Sequence, residues 1–263
     1  ERASPAKGSE APGRIPETFL TAAQTASLVS RRVAKSHPFA GRPAPTRQDL
    51  ASEFTYPATM QTRDPKLLPH ALAFIAVVLA LGLAHQWVNP WLRYDRAAVA
   101  GGEAWRLVTA HLVHLNLWHA LLNLGGLVLI LFFFRDLLDR RRFWLWFAVS
   151  APLVGAVFFV LDRDLGWYVG LSGLLQGLLV LCLLIGWRGN PVLHSLVLAV
   201  VAGRLVWEQL PGYDVDYLRA WINGRVYVNA HLYGALSGAL LAVAMLLVAG
   251  RRRTTLGRRS DIC

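Results

Sequence analysis

The 263-residue chain has a formal net charge of +11, yet 55% of its residues are hydrophobic and its mean hydropathy is +0.40. That apolar excess argues against an ordinary soluble fold and for a membrane protein. The basic residues sit in the amino-terminal stretch, in short loops and at the tail instead of on one periodic face, so they are read as bilayer orientation and not as a nucleic-acid footprint. Cys182 in an apolar run and Cys263 at the last position are the only cysteines, which supports neither a disulfide framework nor a thiolate metal site.

Residues 1–65 are rich in Pro, Ala, Ser, Thr and Arg and are expected to form a disordered cytoplasmic extension, held inside by Arg31, Arg32 and Lys35. Six apolar segments follow within 66–250: Leu67 to about Val88, Leu117 to Phe134, Phe143 to Leu161, Ser172 to Trp187, Val192 to Trp207, and Asn229 to Ala249. Several are at or just below the roughly 20 residues that a helix needs to cross hydrocarbon about 30 Å thick. The expected fold is therefore an all-α membrane protein of six transmembrane helices, closed by a basic cytoplasmic tail over 251–263. Arg135, Arg140, Arg141, Arg142 and Arg188 mark the cytoplasmic loops. Asp95, Glu103, Asp162, Asp164, Glu208, Asp214 and Asp216 fall in the opposite, more acidic loops, which puts both termini in the cytoplasm.

An ionisable or strongly polar residue inside such a span is costly and hence a functional candidate. Three clusters qualify: His114, His119 and Asn123 in the second span, Gly170-Leu171-Ser172-Gly173 opening the fourth, and Ala230-His231-Leu232-Tyr233-Gly234 opening the sixth. The fourth span reaches only about 24 Å, so Ser172 should lie below the outer surface with the loop 162–170 dipping in before it. A Ser hydroxyl needs a base, and His231 stands at a similar depth. Gly173 with Gly177, and Gly234 with Gly238, form small faces that would let the two helices approach closely. No Asp or Glu falls within the fourth or sixth span, which indicates a Ser-His dyad and not a triad. His119 and Asn123 lie one turn apart behind a candidate N-cap, Asn116, and could supply oxyanion donors along with the Ser172 N–H.

Each feature taken singly has a plainer reading. An intramembrane Ser is most often a packing residue, His231 could be a satisfied packing or proton-relay His, His119 and Asn123 could be interhelical hydrogen-bonding glue, and paired Gly residues are ordinary packing devices. The remaining polar residues are assigned structural places. His70, His85, His111 and His194 are interfacial or structural, Arg106 beside Trp105 ties loop carbonyls together, and Arg204 snorkels to the interface.

In order and spacing, Trp105-Arg106, His114 five residues before His119, His119-x-x-x-Asn123, Gly170-x-Ser172-Gly173 and Ala230-His231-x-x-Gly234 resemble the rhomboid family of intramembrane serine proteases, over about residues 67–249. The resemblance implies a six-helix bundle, a Ser172–His231 dyad, an oxyanion hole using His119 and Asn123, and cleavage of transmembrane protein substrates near their outer end. Within the family, the run from His111 to His119, Gly-Leu-Ser-Gly and Ala-His-Leu-Tyr-Gly are similar to the rhombosortase branch, which is associated with bacterial surface proteins bearing a carboxyl-terminal Gly-Gly sorting tail. One position departs: many rhomboids stack an aromatic residue four places after the nucleophile on the base, and here Gln176 could hold His231 only by a hydrogen bond. The expected activity is that of a serine endopeptidase of the bacterial inner membrane, with transmembrane proteins and the lipid bilayer as partners and no metal or organic cofactor. The rivals are a catalytically inactive, substrate-binding relative and an intramembrane His-based metal or haem protein.

Overall fold

The structure, a computed structural model, describes residues 64–213 and 216–260. The expected amino-terminal extension lies, but for Asp64 and Pro65, outside the described residues. The described chain is mostly helical. Helix α1 (Leu67–Leu83) turns by 103° into α2 (His85–Leu92), and two short helices, α3 (Arg96–Ala100) and α4 (Arg106–Thr109), complete the loop to α5 (Leu117–Phe134). Then come α6 (Arg140–Leu161), α7 (Ser172–Gly186), α8 (Pro191–Glu208), α9 (Asp216–Ile222) and α10 (Asn229–Ser260).

Among the described residues four helices are long and apolar enough to cross a membrane: α5, α6, α8 and the Asn229–Ala249 part of α10; a fifth is added if the bent α1–α2 pair is one span. Their outward side chains, among them Leu129, Phe132, Val160, Val200 and Leu240, are more than half exposed. So wide an apolar surface suits lipid and not water. Two expected boundaries move. The first span ends at Leu83 instead of Val88, because a straight continuation would carry His85, Gln86 and Asn89 onward in line with the apolar run. The helix of the sixth segment runs on to Ser260, into the stretch expected to be a tail.

Helix α7 has 15 residues, about 22 Å, and is buried on nearly all sides, as its largely apolar sequence requires. Its main neighbour is α10, and the two meet backbone to backbone. A Cβ on Gly173 would come within 2.5 Å of the Ala230 carbonyl oxygen, and one on Gly177 equally close to that of Gly234. Gly234 and Gly238 face the carbonyls of Gly173 and Gly177 in return, with no room for any side chain. Helix α6 is tied to the other side of α7 by Trp146, whose indole N–H donates to the Leu174 carbonyl (3.0 Å).

The loop leading to Ser172 is fastened at several points. Strand β1 (Tyr94–Asp95) pairs antiparallel with β2 (Trp167–Tyr168) in the register Tyr94↔Tyr168. The Arg96 guanidinium donates to the carbonyls of Phe159 and Arg163, and the Gly170 N–H donates to Ala110 (3.0 Å). Arg106, only 5% exposed, donates to the carbonyls of Pro90 and Arg93 (3.0 Å each) and pairs with Glu103 (2.6 Å), the carbonyl-tying place expected for it. Trp105 beside it is half exposed, and its ring N–H reaches the Trp91 carbonyl.

Candidate active site

Ser172 is the first residue of α7, so its N–H has no carbonyl one turn back to bond. The turn before it needs Gly170, whose φ is +132°, a conformation that L side chains rarely adopt. A Cβ there would also press on the His119 ring at 3.1 Å. The Tyr168 hydroxyl donates to the Gly170 carbonyl (2.8 Å) and fixes this turn from beneath.

His231 lies in the first turn of α10 and is 8% exposed. Its Nε2 stands 3.1 Å from the Ser172 hydroxyl oxygen, and its Nδ1 stands 2.8 Å from a carboxylate oxygen of Glu208. Glu208 was placed by its sequence in an outer loop. It is instead the last residue of α8, 4% exposed, with its other oxygen accepting from Arg204 Nε (2.9 Å). Arg204 therefore pairs with this carboxylate, packs over Trp207 and Tyr213 and bonds the Tyr213 hydroxyl, where snorkelling alone was expected. Glu208 follows Arg204 by four residues at the end of an apolar run, and a carboxylate in that position was the signal that could have found it. Gln176 does not reach His231: its side-chain oxygen is enclosed with no partner among the described residues.

Across the groove, Asn116 caps α5 by accepting from the His119 N–H (2.9 Å). The His119 Nδ1 receives the Leu115 N–H (3.4 Å), so in the neutral ring the proton sits on Nε2, which is left as a donor. Asn123 gives one amide hydrogen to the His119 carbonyl (2.9 Å) and keeps the second. The buried ring of His114 meets His119 edge to face, centroids 5.0 Å apart. His111, between Phe158 and Tyr168, and His194, bonded to the Asn190 carbonyl, have structural places.

Ser172, His231, His119, Asn123 and Gln176 line one groove of about 480 Å³ between α5 and α7, roofed by Ile222 and Val226. The roof is held by Asn116, whose amide donates to the Trp221 carbonyl (3.0 Å), and by Trp118 against Trp221. Beyond the polar end the groove is apolar, running past Gly126 and Leu129 to Phe133. The arrangement provides a hydroxyl with an adjacent imidazole, donors on the facing wall, and an apolar groove beside them. Among the described residues no three His, Cys, Asp or Glu side chains gather as a metal-holding group.

The family described as Rhomboid domain matches residues 101–248. The Bacillus subtilis (strain 168) protein named "Putative rhomboid protease YdcA" is similar to this chain, 29% identical over 148 residues that make up 55% of this chain and 68% of that protein.

Proposed function

Because the chain belongs to the rhomboid family, whose members are intramembrane serine proteases, we propose that it cleaves transmembrane protein substrates with Ser172 as nucleophile and His231 as general base. The observation that carries this reading is the 3.1 Å approach of His231 Nε2 to the Ser172 hydroxyl inside an apolar groove. The Ser172 oxygen attacks the scissile carbonyl as its proton passes to Nε2. The oxyanion is received by the Ser172 N–H, His119 Nε2–H and the second Asn123 amide hydrogen. The C–N bond then breaks, the same proton leaves on the amine, and water releases the acyl group by the reverse route.

In this reading α7 counts as the short fourth of six spans in a membrane domain over residues 66–250. The shortness of α7 supports a hydroxyl beneath the outer surface, with residues 1–65 and 251–263 facing the cytoplasm of a bacterium's inner membrane. Gly173 and Gly234 keep nucleophile and base together, while Gly170, His114, Trp105 and Arg106 hold the surrounding turns. The wording Gly-Leu-Ser-Gly and Ala-His-Leu-Tyr-Gly supports the rhombosortase branch, with surface proteins bearing a carboxyl-terminal Gly-Gly tail as substrates. The test is Ser172→Ala and His231→Ala on the full chain, with a tagged single-span substrate carrying such a tail and with a fluorophosphonate. Each variant is expected to lose cleavage by about 10⁴-fold or more, and Ser172→Ala to lose all labelling. Cleavage or labelling that survives Ser172→Ala refutes the assignment; cleavage of single-span substrates with no preference for the Gly-Gly tail refutes the branch alone.

A further inference from the structure

We propose that Glu208 is a positioning residue for this reaction, completing a Ser172–His231–Glu208 triad from a third helix. The inference rests on the serine-protease reading above and deepens it.

A carboxylate enclosed at the end of an apolar helix is expensive unless both oxygens are engaged. Here they are, one by His231 Nδ1 (2.8 Å) and one by Arg204 Nε (2.9 Å). An ionised carboxylate only accepts, so the His231 Nδ1 must carry the ring proton. Nε2 is then left with the lone pair that faces the Ser172 hydroxyl at 3.1 Å, the tautomer that a general base needs. When Nε2 takes the serine proton, the imidazolium forms beside a fixed negative charge. Glu208 itself takes no proton, and the one on Nε2 goes on to the leaving amine.

Among the described residues Glu208 is the hydrogen-bond partner of His231 Nδ1. The residue four places after the nucleophile is Gln176, whose side-chain oxygen has no partner among the described residues. The carboxylate is itself held: Arg204 is braced over the rings of Trp207 (5.4 Å) and Tyr213 (5.3 Å). Nucleophile, base and acid thus come from the start of α7, the start of α10 and the end of α8, which converge at one end of the bundle.

A purely structural alternative makes Glu208 a helix-end partner of Arg204, and the two roles separate experimentally. Glu208→Gln keeps the shape and lets the amide turn an N–H toward Nδ1, while Glu208→Asp keeps the charge. Both are made in the full chain and compared with wild type and Ser172→Ala, using the tagged Gly-Gly substrate and the rate of fluorophosphonate labelling. The expected result is a fall in kcat of about 10² to 10⁴-fold for Glu208→Gln at unchanged KM. Labelling should slow in parallel, the melting temperature should hold, and Glu208→Asp should recover part of the loss. Glu208→Gln with wild-type kcat and labelling overturns the proposal. So do equal losses in both variants that track an equal fall in melting temperature. A wild type that Ser172→Ala does not distinguish in labelling sinks the serine-protease reading first, so the two failures are told apart.

Discussion

Asn123 divides its two amide hydrogens between a backbone carbonyl and the groove, which makes it the cleanest probe of the facing wall. Asn123→Ala removes one proposed oxyanion donor and leaves the His119 carbonyl with its helical partner. It should lower kcat by about 10² to 10³-fold with little change in KM, measured on the tagged substrate; a loss confined to KM would make Asn123 a substrate-binding residue instead. The polar residues on these two walls were legible in the sequence because their burial in apolar runs is costly, and because Asn116 three residues before His119 announces a helix start. Glu208 left only the faint trace of its spacing four residues after Arg204. Its carboxylate reads as the first acid of an outer loop, and only the rotation of α8 about its axis, which packing decides, turns it inward. Tyr168 was hidden for a similar reason, since its place beneath Gly170 comes from a two-residue strand pairing too short to leave a periodic pattern.

Between elements, the seam of α7 and α10 makes the sharpest prediction. Gly238→Ala puts a methyl group against the Gly177 carbonyl, where nothing can yield but the helices themselves. Overpacking of this kind costs about 1–3 kcal/mol. It should lower the melting temperature and move Ser172 away from His231, so fluorophosphonate labelling should fall as well. Gly125→Ala on α5 is the control: its Cβ would meet nothing within 4 Å, so stability and labelling should stay at wild-type values or rise slightly. Equal behaviour of the two variants would mean that the seam does not set the geometry. The small-residue spacing of this pair could be read from the sequence, and so could the shortness of α7. The bend after Leu83 could not, because Leu67 to Val88 is apolar enough to pass for one straight helix.

Across the whole molecule, the ends of two distant helices are clipped by a single carboxylate. Asp64 accepts the Lys66 N–H at the start of α1 (2.9 Å) and the Arg140 N–H at the start of α6 (3.2 Å). These two backbone hydrogen bonds, Lys66 first and Arg140 next, hold its carboxyl below the usual carboxylate range. A lowered folded-state value means stability that is present above the ordinary carboxylate range and is lost as pH falls through the folded value. Asp64→Asn should therefore melt below wild type at neutral pH, with the gap closing in acid; a gap that stays constant with pH would show that the charge contributes nothing. The overall plan, an apolar bundle with charged loops, was visible in composition and charge placement, whereas this clip joins residues 76 positions apart and has no local signature. The seam of α7 and α10 has a consequence of another kind. Two of the reacting groups are spaced by peptide units touching peptide units, so no exchange of side chains along that line can retune the chemistry. A lineage adapting to new clients would have to rewrite the opposite bank, Leu122, Leu129, Ile222 and Val226, while the engine behind it stayed as it was.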